Sequence, residues 1–339
     1  MTKIPLLGKT ATELKNIVVE LGMPSFTGKQ IADWIYKKRV SSIDEMSNIS
    51  ISNRVSLNEK YEVGRSAPVE SQVSVDGTVK YLFRTHKNQF IESVFIPEED
   101  RATLCVSSQV GCKMNCLFCM TGKQGFNSQL TSTEILNQYY SIPESEKLTN
   151  IVFMGMGEPL DNLDNLLPTL EIMTADYGMS WSPKRITVST IGVLPKMIKF
   201  LETSTCHLAV SMHTPFADDR LKLMPIQKAY PIESVIEELK KYDFSKQRRV
   251  SFEYIMFNGL NDTMRHAVAV AKLLKGIPCR VNLIRYHKIP EIDLESSDEG
   301  KMISFRDYLT NNGVMTTIRK SRGEDIFAAC GMLSSSKHS

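Results

Sequence analysis

Three cysteines, Cys112, Cys116 and Cys119, fall within eight residues of a 339-residue chain that holds seven in all. A cubane iron-sulfur cluster is normally capped by four thiolates. A compact loop that offers three leaves one iron without a protein ligand, and an open iron is where chemistry can happen. Zinc is the rival occupant. It takes four ligands in structural sites and usually draws on His or carboxylate in catalytic ones, and the loop holds no fourth Cys or His. The plain alternative is three buried free thiols, since unpaired Cys is common in cores, but such crowding is not a core pattern. Phe118, just before the last cysteine, is placed to shield a cluster from water.

The Cys-x3-Cys-x2-Cys loop with an aromatic before its third cysteine resembles the radical S-adenosylmethionine superfamily, in which the unligated iron chelates the methionine end of the cofactor. The flanking stretch from Arg101 to Phe126, RATLCVSSQVGCKMNCLFCMTGKQGF, is similar to the RlmN/Cfr family of RNA adenine methyltransferases. The resemblance extends over most of the chain. It implies a [4Fe-4S] cluster on Cys112, Cys116 and Cys119, S-adenosylmethionine as cofactor, methylation of carbon 2 of adenine in 23S rRNA and tRNA, and an electron donor such as flavodoxin.

Gly155-Met156-Gly157-Glu158-Pro159 follows a candidate strand. Glycine lets backbone approach a ligand closely, and a carboxylate accepts hydrogen bonds from an ammonium. Alone this turn is unremarkable among strand ends; the resemblance assigns Gly157, Glu158, Ser189, Ser211, Met212, His213 and His287 to the cofactor. Better-known members carry Asn where this chain has His287, so the contact survives with a different pH dependence.

Cys105 and Cys330 read from their surroundings as buried hydrophobes. The resemblance instead makes them a redox pair. Carbon 2 of adenine is too electron-poor for ordinary methyl displacement, and a radical route avoids that difficulty. By resemblance, Cys330 is methylated as a thiolate, a 5′-deoxyadenosyl radical takes hydrogen from the S-methyl group, and the carbon radical adds to the base. Cys105 then attacks the sulfur of Cys330, forming a transient disulfide and freeing the product. Glu92 matches the family's proton acceptor; its alternative is an exposed strand carboxylate. Two rivals stay open. One is a Cfr-like enzyme acting on carbon 8, although Val110 and Pro159 stand as in the carbon 2 enzymes. The other is a non-catalytic, metal-stabilised RNA-binding module.

These residues need a scaffold, and the chain is long enough for a large domain with an appendage. No run of eighteen apolar residues and no signal-peptide pattern occurs, so the protein is expected to be cytoplasmic, without membrane contact and monomeric. Seven cysteines without framework spacing argue against a secreted disulfide scaffold. Residues 1–90 hold thirteen Lys or Arg against nine Asp or Glu, so the basic surplus of a chain with net charge +3 lies at the N-terminal end.

Residues 1–65 read as a helical accessory domain that contacts RNA, with apolar spacing at Leu14, Ile17, Val18 and Leu21, Thr27 as cap of a second helix, and a basic run Lys37-Lys38-Arg39. Residues 66–100 read as a linking β-hairpin turning at Asp76-Gly77 and carrying Glu92. Residues 101–325 alternate strand and helix. Six candidate strands begin at Leu104, Ile151, Arg185, His207, Val250 and Arg280, which predicts an α/β fold: a partial or closed parallel barrel with helices outside. Sites in such barrels collect at strand C-terminal ends. Residues 326–339 form a C-terminal segment with Cys330 and a Ser-rich tail expected to be disordered. Lys184-Arg185 and Arg319-Lys320-Ser321-Arg322 are candidate phosphate contacts near the site.

Overall fold

The computed structural model describes residues 3–246 and 248–334. Most of the Ser-rich tail, from residue 335 on, lies outside them. At the N-terminus β1 (Ile4–Pro5) pairs in parallel with β2 (Tyr61–Glu62). The pair clasps the ends of a helical unit made of α1 (Ala11–Glu20), α2 (Thr27–Ala32) and α3 (Ile51–Lys60). A capping box starts α1: the Glu13 amide donates to Thr10 Oγ1, and the Thr10 amide donates to Glu13 Oε2. Thr27 does not cap α2 as expected. It lies buried in the first turn, with Phe26 at the cap position. The backbone already turns there, and the carbonyls of Pro24, Ser25 and Phe26 accept the first amides, so no side-chain cap is needed.

Ten of the remaining strands build one open sheet. Its antiparallel part is β3 (Glu70–Val73), β4 (Val79–Arg84), β5 (Phe90–Pro97) and β6 (Ala102–Cys105). A small ribbon, β7 (Gln109–Gly111) against β8 (Phe126–Gln129), brackets the cysteine loop and the short α4 (Met120–Lys123). Helix α5 (Ser132–Tyr140) then leads to β9 (Asn150–Phe153), α6 (Leu163–Thr174), β10 (Ile186–Thr190), α7 (Leu194–Thr203) and β11 (His207–Ser211). Next come α8 (Ala217–Leu223), α9 (Ile232–Leu239), β12 (Val250–Met256), α10 (Met264–Leu273), β13 (Cys279–Arg285), α11 (Glu299–Asn311) and β14 (Met315–Ile318).

The order β14-β13-β12-β11-β10-β9-β6-β5-β4-β3 makes every neighbour from β6 to β14 parallel. Among the described residues β14 does not pair with β3, so the partial form of the two expected barrels is the one adopted. Sequence spacing missed β14, whose run Met315–Ile318 is short and half polar, and α8, whose seven residues are too few for a clear period.

Register decides which side chains meet. Paired residues on adjacent strands share a face. Pairings therefore place Lys80, Val94, Cys105, Val152 and Thr187 in one row across β4, β5, β6, β9 and β10. Glu92, Ser189, Ser211 and Glu253 lie on the same face, and Asn282 and Thr317 extend it. The opposite face carries Phe153, Val188, Val210, Phe252 and Leu283, all buried in the main core. In β10 this gives alternating buried and half-buried residues.

The helical unit docks on α5. Tyr140 Oη donates to the Tyr36 carbonyl at 3.0 Å, and Arg65 donates to the carbonyls of Tyr140 and Arg39. Helix α5 is itself held by a capping box of Thr131 with Glu134. Replacing Thr131 with Ala is expected to cost about 1 kcal/mol of folding free energy, read as a lower urea midpoint at unchanged slope.

Candidate active site

The cysteine loop leaves β7 at Gly111, where a β-carbon would come within 1.8 Å of the Gly125 carbonyl oxygen at a φ of +73°. Only glycine fits that crossing of loop and ribbon. The loop is then fastened by backbone: Cys112 N–H donates to Gly125 O at 3.0 Å and Leu117 N–H to Leu223 O at 2.8 Å. Lys113 forms an ion pair of 2.7 Å with Asp161, joining the loop to the segment after Gly157. Phe118 is buried edge-on against His213, with ring centres 4.8 Å apart, so it does wall off the loop.

The donor set fits an iron-sulfur cluster. Cys112, Cys116 and Cys119 are close enough for their charges to interact, and burial first, then neighbouring thiols and carboxylates, pushes Cys112 up to about 12. Burial also raises Cys116 and Cys119. Such thiols are deprotonated only by a cationic centre. Three thiolates each binding their own iron match the cluster's need for sulfur ligands.

The other expected cofactor contacts gather at the same rim. Gly157 has a φ of +98° and packs on Gln109, whose Oε1 accepts the Glu158 amide at 2.8 Å. Glu158 is buried, and burial, partly offset by hydrogen bonds from Thr190 and the amides of Ile191 and Leu160, raises its carboxyl to about 7. Ser189 and Ser211 lie half-buried near the ends of β10 and β11. The amides of Met212 and His213 both donate to the Glu253 carbonyl. His213 takes a left-handed φ of +58°, and its Nδ1 accepts the Ile255 amide at 3.0 Å. Burial, then the Arg220 charge, lowers its pKa to about 3, so the ring is neutral. His287 is buried and pairs through Nδ1 with Glu324 at 3.3 Å.

Glu324 belongs to the segment that carries Cys330, and this segment is anchored throughout. Asp76 Oδ2 accepts the Gly323 amide and Asp325 accepts from Ser74 and Val75. Met120 N–H donates to Gly331 O, and Thr121 Oγ1 to Leu333 O. Cys330 is reached by solvent, yet burial is the first cause raising its thiol to about 12. Its charge would interact with Glu253, Cys119, Arg319 and Cys105. Cys105, at the end of β6, is likewise raised to about 12, first by burial and then by Cys330. All seven cysteines are free thiols. Cys206 is buried and Cys279 packs against the core, as expected of structural thiols.

Glu92 is buried on β5 and pairs with Lys80, which removes the alternative of an exposed strand carboxylate. One expectation needs correction. Lys184 and Arg185 precede β10, so they lie at the strand's N-terminal end, away from the rim that holds the cysteine loop. Arg319 to Arg322 follow β14 and do stand at that rim.

Sequence reasoning missed Arg220, which is fully buried and donates to the carbonyls of Ile191 and Ser211 at 2.8 and 3.2 Å. It missed Ser107, which joins the Glu92 carbonyl to the Met156 amide. An arginine followed by apolar residues gives no local signal of burial. Each of Cys112→Ala, Cys116→Ala and Cys119→Ala is expected to lose most bound iron and the brown absorbance after anaerobic reconstitution, with far-UV circular dichroism retained. Because Glu158 has a folded pKa near 7 against an ordinary 4.5, the folded apoprotein holds that proton where the unfolded chain has lost it. Stability from this group therefore falls as pH rises from about 4.5 to 7, and Glu158→Gln should flatten that part of a denaturation-versus-pH curve.

The whole chain has counterparts. Residues 106–270 match the radical SAM superfamily, and residues 4–63 match the ribosomal RNA large subunit methyltransferase N-terminal domain. A probable dual-specificity RNA methyltransferase RlmN of Phocaeicola vulgatus is 63% identical over 99% of this chain and 96% of its own length. The RlmN of Wigglesworthia glossinidia brevipalpis is 41% identical over 98% of this chain and 90% of its own. In three dimensions a radical SAM methyltransferase from Sphaerobacter thermophilus superposes with a TM-score of 0.92 at 36% identity, covering 98% of this chain and all of its own. With likeness that spans both the N-terminal unit and the sheet, and with three thiols set at the sheet's rim, the chain belongs to the RlmN family of radical SAM enzymes.

Proposed function

We propose that this enzyme methylates carbon 2 of an adenine in 23S rRNA and of an adenine in tRNA. The relatives' names speak for RNA methylation. The observation that carries the chemical reading is the position of Cys330, within electrostatic reach of Cys119 of the cluster loop and of Cys105 on β6. Family membership sets aside the non-catalytic RNA-binding alternative.

Cys112, Cys116 and Cys119 hold the [4Fe-4S] cluster. With S-adenosylmethionine bound, the cluster supplies a carbon radical by one-electron cleavage of the sulfonium, which opens a carbon that polar methyl transfer does not reach. Gly157, Glu158, Ser189, Ser211, Met212, His213 and His287 bind and orient the cofactor from the strand ends. Glu158 also braces the backbone at Leu160 and Ile191, which keeps its carboxylate aimed into the loop. Neutral His213 and the buried Phe118 exclude water. Cys330 carries the methyl group to the base. Its thiol must first lose a proton, and Arg319 lowers the cost of that charge. Glu92 accepts the proton that leaves the base carbon, and Cys105 releases the product by attacking the Cys330 sulfur.

The chain divides the work. Residues 1–65 contact RNA, 66–100 bring Glu92, 101–325 form the radical core, and the C-terminal segment presents Cys330. Lys37, Lys38, Arg39 and Arg65 line a recess of about 580 Å³ between the N-terminal unit and the core, where phosphates can sit. The target base is flipped out of its RNA to reach the inner face. We assign the enzyme to the cytoplasm as a monomer reduced by a small donor such as flavodoxin.

Cys330→Ala is expected to abolish base methylation. Cys105→Ala should leave RNA covalently attached to the protein, seen as a slow band on denaturing gels. Free, fully methylated RNA from the Cys105 variant would refute the release step. Mass spectrometry of digested RNA should find 2-methyladenosine; 8-methyladenosine would move the enzyme to the Cfr-like alternative.

A further inference from the structure

Glu92 is held by two contacts of different kinds. Its Oε1 lies 3.0 Å from Lys80 Nζ, with side chains only 3% and 4% exposed. Its Oε2 accepts the Ser334 amide at 2.8 Å. Lys80 stands on β4, opposite Val94 of β5. Glu92 is two residues before Val94, so ammonium and carboxylate are diagonal neighbours on the inner face, and Cys105 flanks Val94 from β6. Both charged groups ride on adjacent paired strands. Ser334, by contrast, belongs to the segment that carries Cys330 four residues earlier.

The two contacts differ in what holds them. The Ser334 amide depends on the seat of the C-terminal segment, whereas the ion pair depends on the register of β4 with β5. A buried carboxylate without a partner is strongly disfavoured and rests protonated. Lys80 is the only cation paired with Glu92 among the described residues. Its ammonium makes no hydrogen bond of good geometry among them, Glu92 included, so its tie to the carboxylate is one of charge and proximity. A lysine buried on the same face as Leu82 and Val94 is costly for folding alone.

We propose that Lys80 is a positioning residue for proton removal: its ammonium, carried on the paired strand β4, holds the Glu92 carboxylate in place on β5. The proton passes from carbon 2 of the adduct to a Glu92 oxygen, and the electron pair of the broken C–H bond stays on the ring. The inference rests on the reading of Glu92 as proton acceptor.

The test uses reconstituted holoenzyme with target RNA, S-adenosylmethionine and reductant, scoring 5′-deoxyadenosine and methylated adenosine in the same reactions. A base defect acts after the radical forms. Lys80→Met should therefore release 5′-deoxyadenosine within about twofold of the parent while methylation falls about tenfold or more, and Lys80→Arg should recover most of the loss. Full methylation by Lys80→Met overturns the proposal. So does a parallel fall of both products that Lys80→Arg does not mend, since that marks a purely structural role. Glu92→Gln separates the two layers. If it stalls methylation while Lys80→Met does not, only the role of Lys80 fails; if it methylates normally, the reading of Glu92 fails and that of Lys80 with it.

Discussion

A buried loop must find partners for every backbone amide and carbonyl it takes out of water. The loops at the C-terminal rim of this sheet are buried and irregular, so each is satisfied by side chains sent from elsewhere. Arg220 serves the carbonyls of Ile191 and Ser211. Asn162 serves Ser108 and Leu130, and Gln138 serves both backbone groups of Ser107. Asn261 takes the carbonyls of His213 and Ile255 and returns its own oxygen to the Phe257 amide. These loops lie beside the candidate site, and their fixed shape is what lets a few side chains converge there.

The same constraint explains where positive charge is placed. Arg220 has no exposed surface and lies within electrostatic reach of Cys116, His213 and Glu233. Burial lowers its pKa to about 10, which still leaves it charged at neutral pH. A permanent cation within reach of Cys116 offsets part of the thiolate charge, and it adds to the burial that keeps His213 neutral. Two tasks, closing backbone valences and balancing sulfur charge, fall to one guanidinium because its planar fork can donate to several acceptors at once.

The C-terminal segment follows a different logic. It is tied to the hairpin by Asp76 and Asp325, to the rim by His287, to the cluster loop through Met120 and Thr121, and to β5 through Glu92. Each tie is one or two hydrogen bonds or an ion pair, and several are half exposed, so the segment is held by many separate contacts rather than by one core.

Much of the site was legible without coordinates in space. The cysteine spacing, the glycine turn before Glu158 and the alternation of strand and helix are local patterns, because ligand count, backbone freedom and hydrophobic period are written in neighbouring residues. The partners of Glu92 were not. Lys80 and Ser334 lie twelve and 242 residues away in the chain, and they meet it only through strand register and the return of the C-terminal segment. Arg220 was hidden for the same reason: burial of a charged side chain depends on what packs over it. Sequence alone determined which chemistry the cysteine loop can support and where most of the sheet's strands fall, β14 excepted. Tertiary structure decided which charges are removed from water and paired, since desolvation is a property of the assembled fold and not of any stretch of residues.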